Sequence, residues 1–569
     1  MKIAFVTWAL IREKRYSIIF FSIVFLILFA NSLHNSYPDE FDNILGGYLI
    51  TKGVLPYSGF FSHHGPMGYF LAAGITLFTG QSFVLFRLLS SVFLFTIFIG
   101  IYKIIRARTA SKIVTVLPLF IGILSVTSVY FWGHMFLADP LSGYFLLPAF
   151  LLTFIKLFYQ EKLTTKDLWV ISLSCALSLL ISLTYLYAIA TISLICSYYY
   201  LGQFRKNHKH LLHKAGTLAL IFLLPYFLFL LYLLITKTVS DYYFQAIIYN
   251  KNYYIYNYPR PDGSFVFNPI RYALAIFDKF FIGMFDVLVR LRYVPLDNPY
   301  SLTLGLTNVL LWGFLLFKRK FLLFLLSFLV IVFSTVRSNP AGTSATDYQG
   351  AVYVILTLLQ GSLLFYLLQS EIKAITDFFQ KFVLSLTLCF LGFFWFFFLL
   401  YIVVQSWNMI YARFSGTMPL IYDSPQVAPL INSVVPKNDY CWVGPFEFEE
   451  LFYLNCRLPS KYHWILPQFN RIGWLKNELL ADYTKNLPDV IVYHRFYSAF
   501  GSSDQYHRFF KDFIDAHYLL LEDIDPNKKY HFRFSRTKDF NLDKDFNIEK
   551  SKAQSILSVL IAKGLVEAH

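Results

Sequence analysis

The sequence predicts a polytopic α-helical membrane protein that carries a soluble α/β domain at its C-terminus. Three observations predict it. Of 569 residues, 57% are hydrophobic and 15% charged, whereas a soluble domain is nearer half apolar and a quarter charged. The mean hydropathy is +0.53. Apolar runs long enough to cross a bilayer recur along the chain, and the composition turns soluble after Trp407. The 63 Phe and 41 Tyr suit lipid-facing walls and two aromatic interface belts.

A spanning helix needs about 20 apolar residues, with a range of about 17–25. Runs that qualify or nearly so are 17–33, 83–102, 113–131, 140–157, 168–183, 185–201, 215–236, 301–317, 321–335, 349–369 and 379–404. They make about 11 spans, with 11–13 possible if short segments also cross. The first run follows Arg12 and Arg15 and ends without a small-residue cleavage site, so it reads as a retained anchor.

Lysine and arginine in short loops orient the spans. Placing the clusters around 12–15, 103–112, 162–166, 205–214, 318–320 and 373–381 in the cytoplasm gives a consistent alternation. The N-terminus is then inside and the C-terminal domain outside. Residues 66–80 are only a short, Gly-containing apolar run, and a crossing there would turn the basic loop 103–112 outward. They read instead as an interfacial juxtamembrane helix. Segment 273–292 reads likewise as lying along the membrane.

The predicted division is a transmembrane domain over 1–409, with a first outer loop at about 34–82 and a large outer loop at about 237–300, then an extracytoplasmic α/β domain over 410–569. In that domain 440–443, 490–493 and 518–521 read as strands, and 424–435, 472–486 and 504–516 as helices. Cys441 and Cys456 both fall there and are able to pair, or to remain two buried thiols. Cys175, Cys196 and Cys389 lie in apolar runs and read as packing residues.

The net charge of +15 sits mainly between apolar runs, which argues for membrane topology rather than nucleic acid. The informative ionisable residues stand beside spans, among Pro, Gly and His. Tyr37-Pro38-Asp39-Glu40-Phe41-Asp42 follows the first span. Its acids would either face a wet cavity or cap a helix, with Asp39 as the N-cap. His63-His64-Gly65-Pro66 opens the interfacial helix, as a phosphate or metal site or as a solvated interface pair. Asp139, before Pro140, would cap the fourth span or join Asp39 at the same depth. Two such carboxylates could hold a divalent cation (Mg, Mn or Zn) or divide base and electrostatic roles. Arg337 ends another span and could take a lipid phosphate, against the alternative of snorkelling to the interface, which also covers Arg87. Arg260 and Arg271 in the Tyr-rich outer loop are further phosphate candidates.

With those residues in place, Asp39-Glu40, Gly46-Gly47, Gly53, Pro56-Tyr57, His63-His64-Gly65-Pro66-Met67-Gly68-Tyr69 and Arg87-Leu88-Leu89-Ser90 together resemble the first outer loop of GT-C glycosyltransferases. The likeness is to the branch of protein mannosyltransferases and lipid A aminoarabinose transferases. Ala138-Asp139 resembles that branch's second acidic position. The match covers residues 34–145 and is one of layout beyond them. His64-Gly65-Pro66 replaces the commoner Pro-Pro form, and 87–90 lacks the family proline.

The resemblance implies transfer of a sugar from a polyprenyl-phosphate donor to a lipid, glycan or protein acceptor at the outer face of the cell membrane. It assigns catalysis to Asp39, Glu40 and Asp139, with Asp39 as base and Asp39 and Asp139 as metal ligands. Donor or lipid-phosphate binding falls to His63, His64, Arg260, Arg337 and Tyr348, the last two by position. The competing classes are a transporter or lipid flippase and a membrane-anchored scaffold with an outer binding domain. Midplane acids and repeated halves would favour a transporter, and neither is visible in the sequence.

Overall fold

The computed structural model describes the chain apart from residues 1, 35, 110, 205–207, 258–263, 265, 298, 339–346, 418–424, 426, 495, 498–500, 503–506, 525–529, 535–537, 540–543 and 569. Each apolar run named above is helical through its body. Among the described residues, six helices are long and apolar enough to cross a membrane: Phe83–Arg108, Ala138–Phe158, Leu183–Gly202, Leu211–Ile235, Tyr348–Ala374 and Phe378–Phe414. Shorter apolar helices accompany them, including Ser17–Asn31, Lys112–Thr127, Leu302–Phe317 and Phe321–Ser334. The chain is a polytopic helical membrane protein with an α/β unit at its C-terminal end.

Helices that are apolar all round sort by what solvates them. Ala138–Phe158 and Tyr348–Ala374 are buried along nearly their whole length and pack on each other. Leu211–Ile235 and Phe378–Phe414 turn Leu220, Phe227, Phe382 and Leu386 outward, as lipid-facing helices do. Where no apolar driving force separates protein from lipid, polar contacts fix helix partners. Asn308 donates to Thr357 at 3.1 Å, Trp395 to Thr307 at 3.0 Å and Trp312 to Ser327 at 2.9 Å.

The segment between the first two apolar runs forms two helices, Pro38–Thr51 and Met67–Thr79. Gly46 and Gly47 let them touch. A Cβ on Gly46 would stand 2.3 Å from the Tyr69 ring, and one on Gly47 would stand 2.7 Å from the Ala72 backbone. The loop between them is tied to a π-helix, Tyr243–Tyr254. Ser62 N–H donates to Gln245 at 2.9 Å, Gln245 donates to the Tyr57 carbonyl at 2.8 Å, and Asn250 donates to the His63 carbonyl at 2.7 Å. Further on, the helix Pro269–Leu288 starts at an Asn268 cap and exposes Ile270, Leu274, Phe281 and Phe285.

The last long helix runs to Phe414, past the expected boundary at 410. Beyond it lies a four-stranded sheet in the order Cys441–Gly444, Val490–His494, Lys544–Glu549, Tyr518–Leu520. The first pair is parallel, with Cys441 opposite Val490, and the others are antiparallel. Helices Ala428–Val434, Gly473–Lys485 and Arg508–His517 accompany it. Cys441 and Cys456 are joined as a disulfide. Cys175 and Cys196 are buried thiols, while Cys389 is exposed. The unit sits on the juxtamembrane helices: Gln81 donates to the Phe452 and Leu454 carbonyls at 2.8 and 3.1 Å, and Phe61 N–H donates to the Lys461 carbonyl at 2.8 Å.

Candidate active site

The acids at 39–42 enter the helix Pro38–Thr51 within its first turns, and Tyr37, not Asp39, is its N-cap. The capping role weighed for Asp39 is therefore not the one it has. Successive helical residues point about 100° apart, so the three acids reach different neighbours.

Asp39 is partly buried, and its Oδ2 accepts a hydrogen bond from the Tyr348 hydroxyl at 2.7 Å. Its Oδ1 accepts none among the described residues. Burial pushes the Asp39 carboxyl above its usual range; the Tyr348 hydrogen bond and nearby His64 work against that, and the Asp42 charge adds to it. Tyr348 in turn stacks on Trp132 at 5.6 Å and meets Tyr37 at the same distance. Burial and the Asp39 charge push the Tyr37 hydroxyl up to about 12.

Glu40 is fully buried and forms an ion pair with Arg87, itself 3% exposed. Its other oxygen accepts from the Phe136 backbone N–H at 2.9 Å. Arg87 thus does not snorkel: its charge turns inward, where Glu40 meets it. This arrangement clamps the acid helix to the helix Phe83–Arg108 and to the loop that leads to Asp139. Asp42, also buried, accepts from Tyr69 at 2.9 Å, and Tyr69 accepts from Ser62 at 2.8 Å. Its other oxygen lies 3.6 Å from His463 Nε2 in the C-terminal α/β unit.

Asp139 occupies the first turn of its helix, whose N-cap is Leu137, so it is not the cap either. One oxygen accepts from Arg337 at 3.0 Å and the other from Tyr185 at 2.8 Å. Arg337 keeps 24% of its side chain exposed and lies 5.9 Å from the centre of the Tyr348 ring. Asp39, Tyr348, Arg337, Asp139 and Tyr185 therefore form one connected group, drawn from five stretches of chain.

His63 and His64 face each other with ring centroids 3.9 Å apart. Burial holds both below the usual histidine range. His64 lies in the fields of Asp42, Arg337, Asp39 and Asp139, so it belongs to the same group. Gly65 has no room for a side chain: a Cβ there would stand 2.1 Å from the Leu180 carbonyl oxygen. Arg260 lies outside the described residues.

Asp42 stood out only as one acid of the 39–42 cluster, and Tyr185 and His463 did not stand out in the sequence. Tyr185 carried a faint signal, since Ser182-Leu183-Thr184 interrupts two apolar runs. His463 carried none, because its partner lies in another part of the chain.

A divalent cation fits these residues poorly. Both Asp139 oxygens are already engaged, one by a guanidinium that a cation would have to displace. Among the described residues no group of three or more His, Cys, Asp or Glu side chains is gathered to hold a metal. No step below is routed through one.

No family model matches the sequence, and no curated protein matches it. Among solved structures, the chain is similar to ArnT from Cupriavidus metallidurans bound to undecaprenyl phosphate, at 10% identity and a TM-score of 0.48, covering 94% of this chain and 97% of that one. It is also similar to the archaeal oligosaccharyltransferase AglB from Archaeoglobus fulgidus in complex with an inhibitory peptide and a dolichol-phosphate. That match has 12% identity and a TM-score of 0.41, over 96% of this chain and 78% of that one. Likenesses of this size assign no activity.

Proposed function

We propose that the protein is a GT-C type glycosyltransferase that moves a sugar from a polyprenyl-phosphate donor to an acceptor hydroxyl at the outer membrane face. The observation that carries this reading is the connected group of Asp39, Tyr348, Arg337 and Asp139, which sets a carboxylate of raised proton affinity beside a partly exposed arginine. A base poised for a hydroxyl proton and a cation poised for a departing phosphate are the two groups that such a transfer needs.

The acceptor oxygen attacks the anomeric carbon. The bond from that carbon to the phosphate oxygen breaks, and its electron pair leaves with the polyprenyl phosphate. The hydroxyl proton passes to Asp39 Oδ1, the oxygen that Tyr348 leaves open. Arg337 receives the leaving phosphate. Asp139 and Tyr185 hold Arg337, which makes them positioning residues. Glu40 acts through Arg87 and the Phe136 backbone, so it holds the acid helix rather than touching substrate. The N-terminus inside and the C-terminal unit outside complete the reading, because they put this group at the leaflet where a polyprenyl-phosphate sugar would be used.

The test is product identification. Membranes containing the protein receive a labelled polyprenyl-phosphate sugar, and released polyprenyl phosphate and glycosylated acceptor are measured by mass spectrometry. Wild type yields both in equal amounts, and Arg337→Gln yields neither above background. Equal yield from wild type and Arg337→Gln would sink the assignment of the phosphate site.

A further inference from the structure

Beside the catalytic group, the seam between the first outer loop and the soluble unit contains buried nitrogen atoms with no hydrogen-bond partner among the described residues. They are His63 Nδ1 on the loop and His463 Nε2, Trp464 Nε1 and Gln468 Nε2 on the soluble unit. Asp42, the acceptor that faces His463, is 3.6 Å away, too far for a hydrogen bond. Buried polar atoms are ordinarily satisfied, and a run of unsatisfied ones asks for an explanation.

These groups stand close together. The rings of His63 and Trp464 are 5.4 Å apart, and those of His63 and Tyr254 are 4.8 Å apart. Tyr249 lies 6.2 Å from His63 and donates to Gln468 Oε1 at 3.4 Å. Trp464 is 2% exposed and Gln468 fully buried. The seam also adjoins the chemistry, for Tyr254 lies in the fields of both Arg337 and Asp39.

An indole N–H and a carboxamide NH₂ only donate. Whatever meets Trp464 and Gln468 must therefore present oxygen acceptors, while the surrounding rings present flat apolar faces. A hydroxylated sugar ring has both faces of that description. We infer that the segment 463–468 of the soluble unit completes the donor-sugar subsite, with Trp464 and Gln468 donating to sugar oxygens and so selecting the sugar. This rests on the proposed transfer reaction, and it adds that the soluble unit reads the substrate.

The test uses the full-length protein in nanodiscs, labelled with 5-fluorotryptophan. There are nine tryptophans, so Trp464→Phe assigns the signal. The protein is titrated with undecaprenyl phosphate and with its glucose, mannose and 4-amino-arabinose conjugates. At least one conjugate moves the Trp464 fluorine signal, and bare undecaprenyl phosphate does not. An equal shift with the bare lipid, or no shift with any conjugate, overturns the inference. In transfer kinetics, Trp464→Phe and Gln468→Met each raise the donor KM by about tenfold with kcat nearly unchanged. An unchanged KM in both variants, with wild type active, overturns it as well and leaves the transfer reading standing. If wild type transfers nothing, that reading fails, and the fluorine titration alone still decides the subsite.

Discussion

Tyr348 donates its hydroxyl hydrogen to Asp39 Oδ2 across 2.7 Å, joining two residues 309 positions apart. The bond favours the charged carboxylate, while burial favours the neutral form and outweighs it. A base works only when ionised, so transfer falls as pH drops through the raised Asp39 pKa, above the usual carboxylate range. Tyr348→Phe removes a group that holds the pKa down, so the acid limb of kcat moves to higher pH. The variant loses several-fold at the low-pH end and recovers toward wild type at the high-pH end. A pH-rate profile in detergent or nanodiscs checks this, and an acid limb moved to lower pH would be the wrong sign.

The Glu40–Arg87 pair predicts a stability effect independent of catalysis. Both partners are buried, so removing one leaves the other charged and unpaired. Arg87→Met is expected to cost about 3–5 kcal/mol, and the double variant Glu40→Leu/Arg87→Met to recover a large part of that. Thermal unfolding of the purified chain in detergent measures both. Additive losses would show that the two side chains are not coupled.

Gly65 and Gly74 differ in the room each leaves for a side chain. A Cβ on Gly65 meets a backbone oxygen at 2.1 Å, whereas one on Gly74 meets nothing within 4 Å. Gly65→Ala is expected to destabilise by about 1–3 kcal/mol and to lose transfer, because it pushes the His63-His64 loop off the helix that ends at Ile181. Gly74→Ala, inside a helix, is expected to be neutral or to stabilise by up to about 1 kcal/mol. The two melting temperatures, read side by side, decide it.

The helices were legible because bilayer thickness fixes their length and lipid makes their faces uniformly apolar. The C-terminal α/β unit was legible from its change of composition, and its strands Val490–His494 and Tyr518–Leu520 from short β-branched or aromatic runs. The acids at 39–42 stood out because charge beside a span is costly. Their partners did not. Arg337 stood out only as a span-end arginine and Tyr348 only by position, and nothing local says that one meets Asp139 and the other Asp39. Tyr185 read as one more aromatic in an apolar run, and Arg87 read as an interface arginine although it turns inward to Glu40. Such pairings are made by packing between distant helices, which a single sequence does not record. The metal-sharing role considered for Asp39 and Asp139 was chemically reasonable for two carboxylates, and Arg337 is the reason it fits poorly.

The role of Asp39 as base is tested most directly by the single-turnover rate of Asp39→Asn, which keeps the side chain's shape and its acceptor for Tyr348. The rate of sugar transfer from a bound polyprenyl-phosphate donor is predicted to fall by about 10²–10⁴-fold, with donor affinity within about threefold of wild type. An Asp39→Asn protein that transfers within about threefold of the wild-type rate would contradict the assignment of Asp39 as the base.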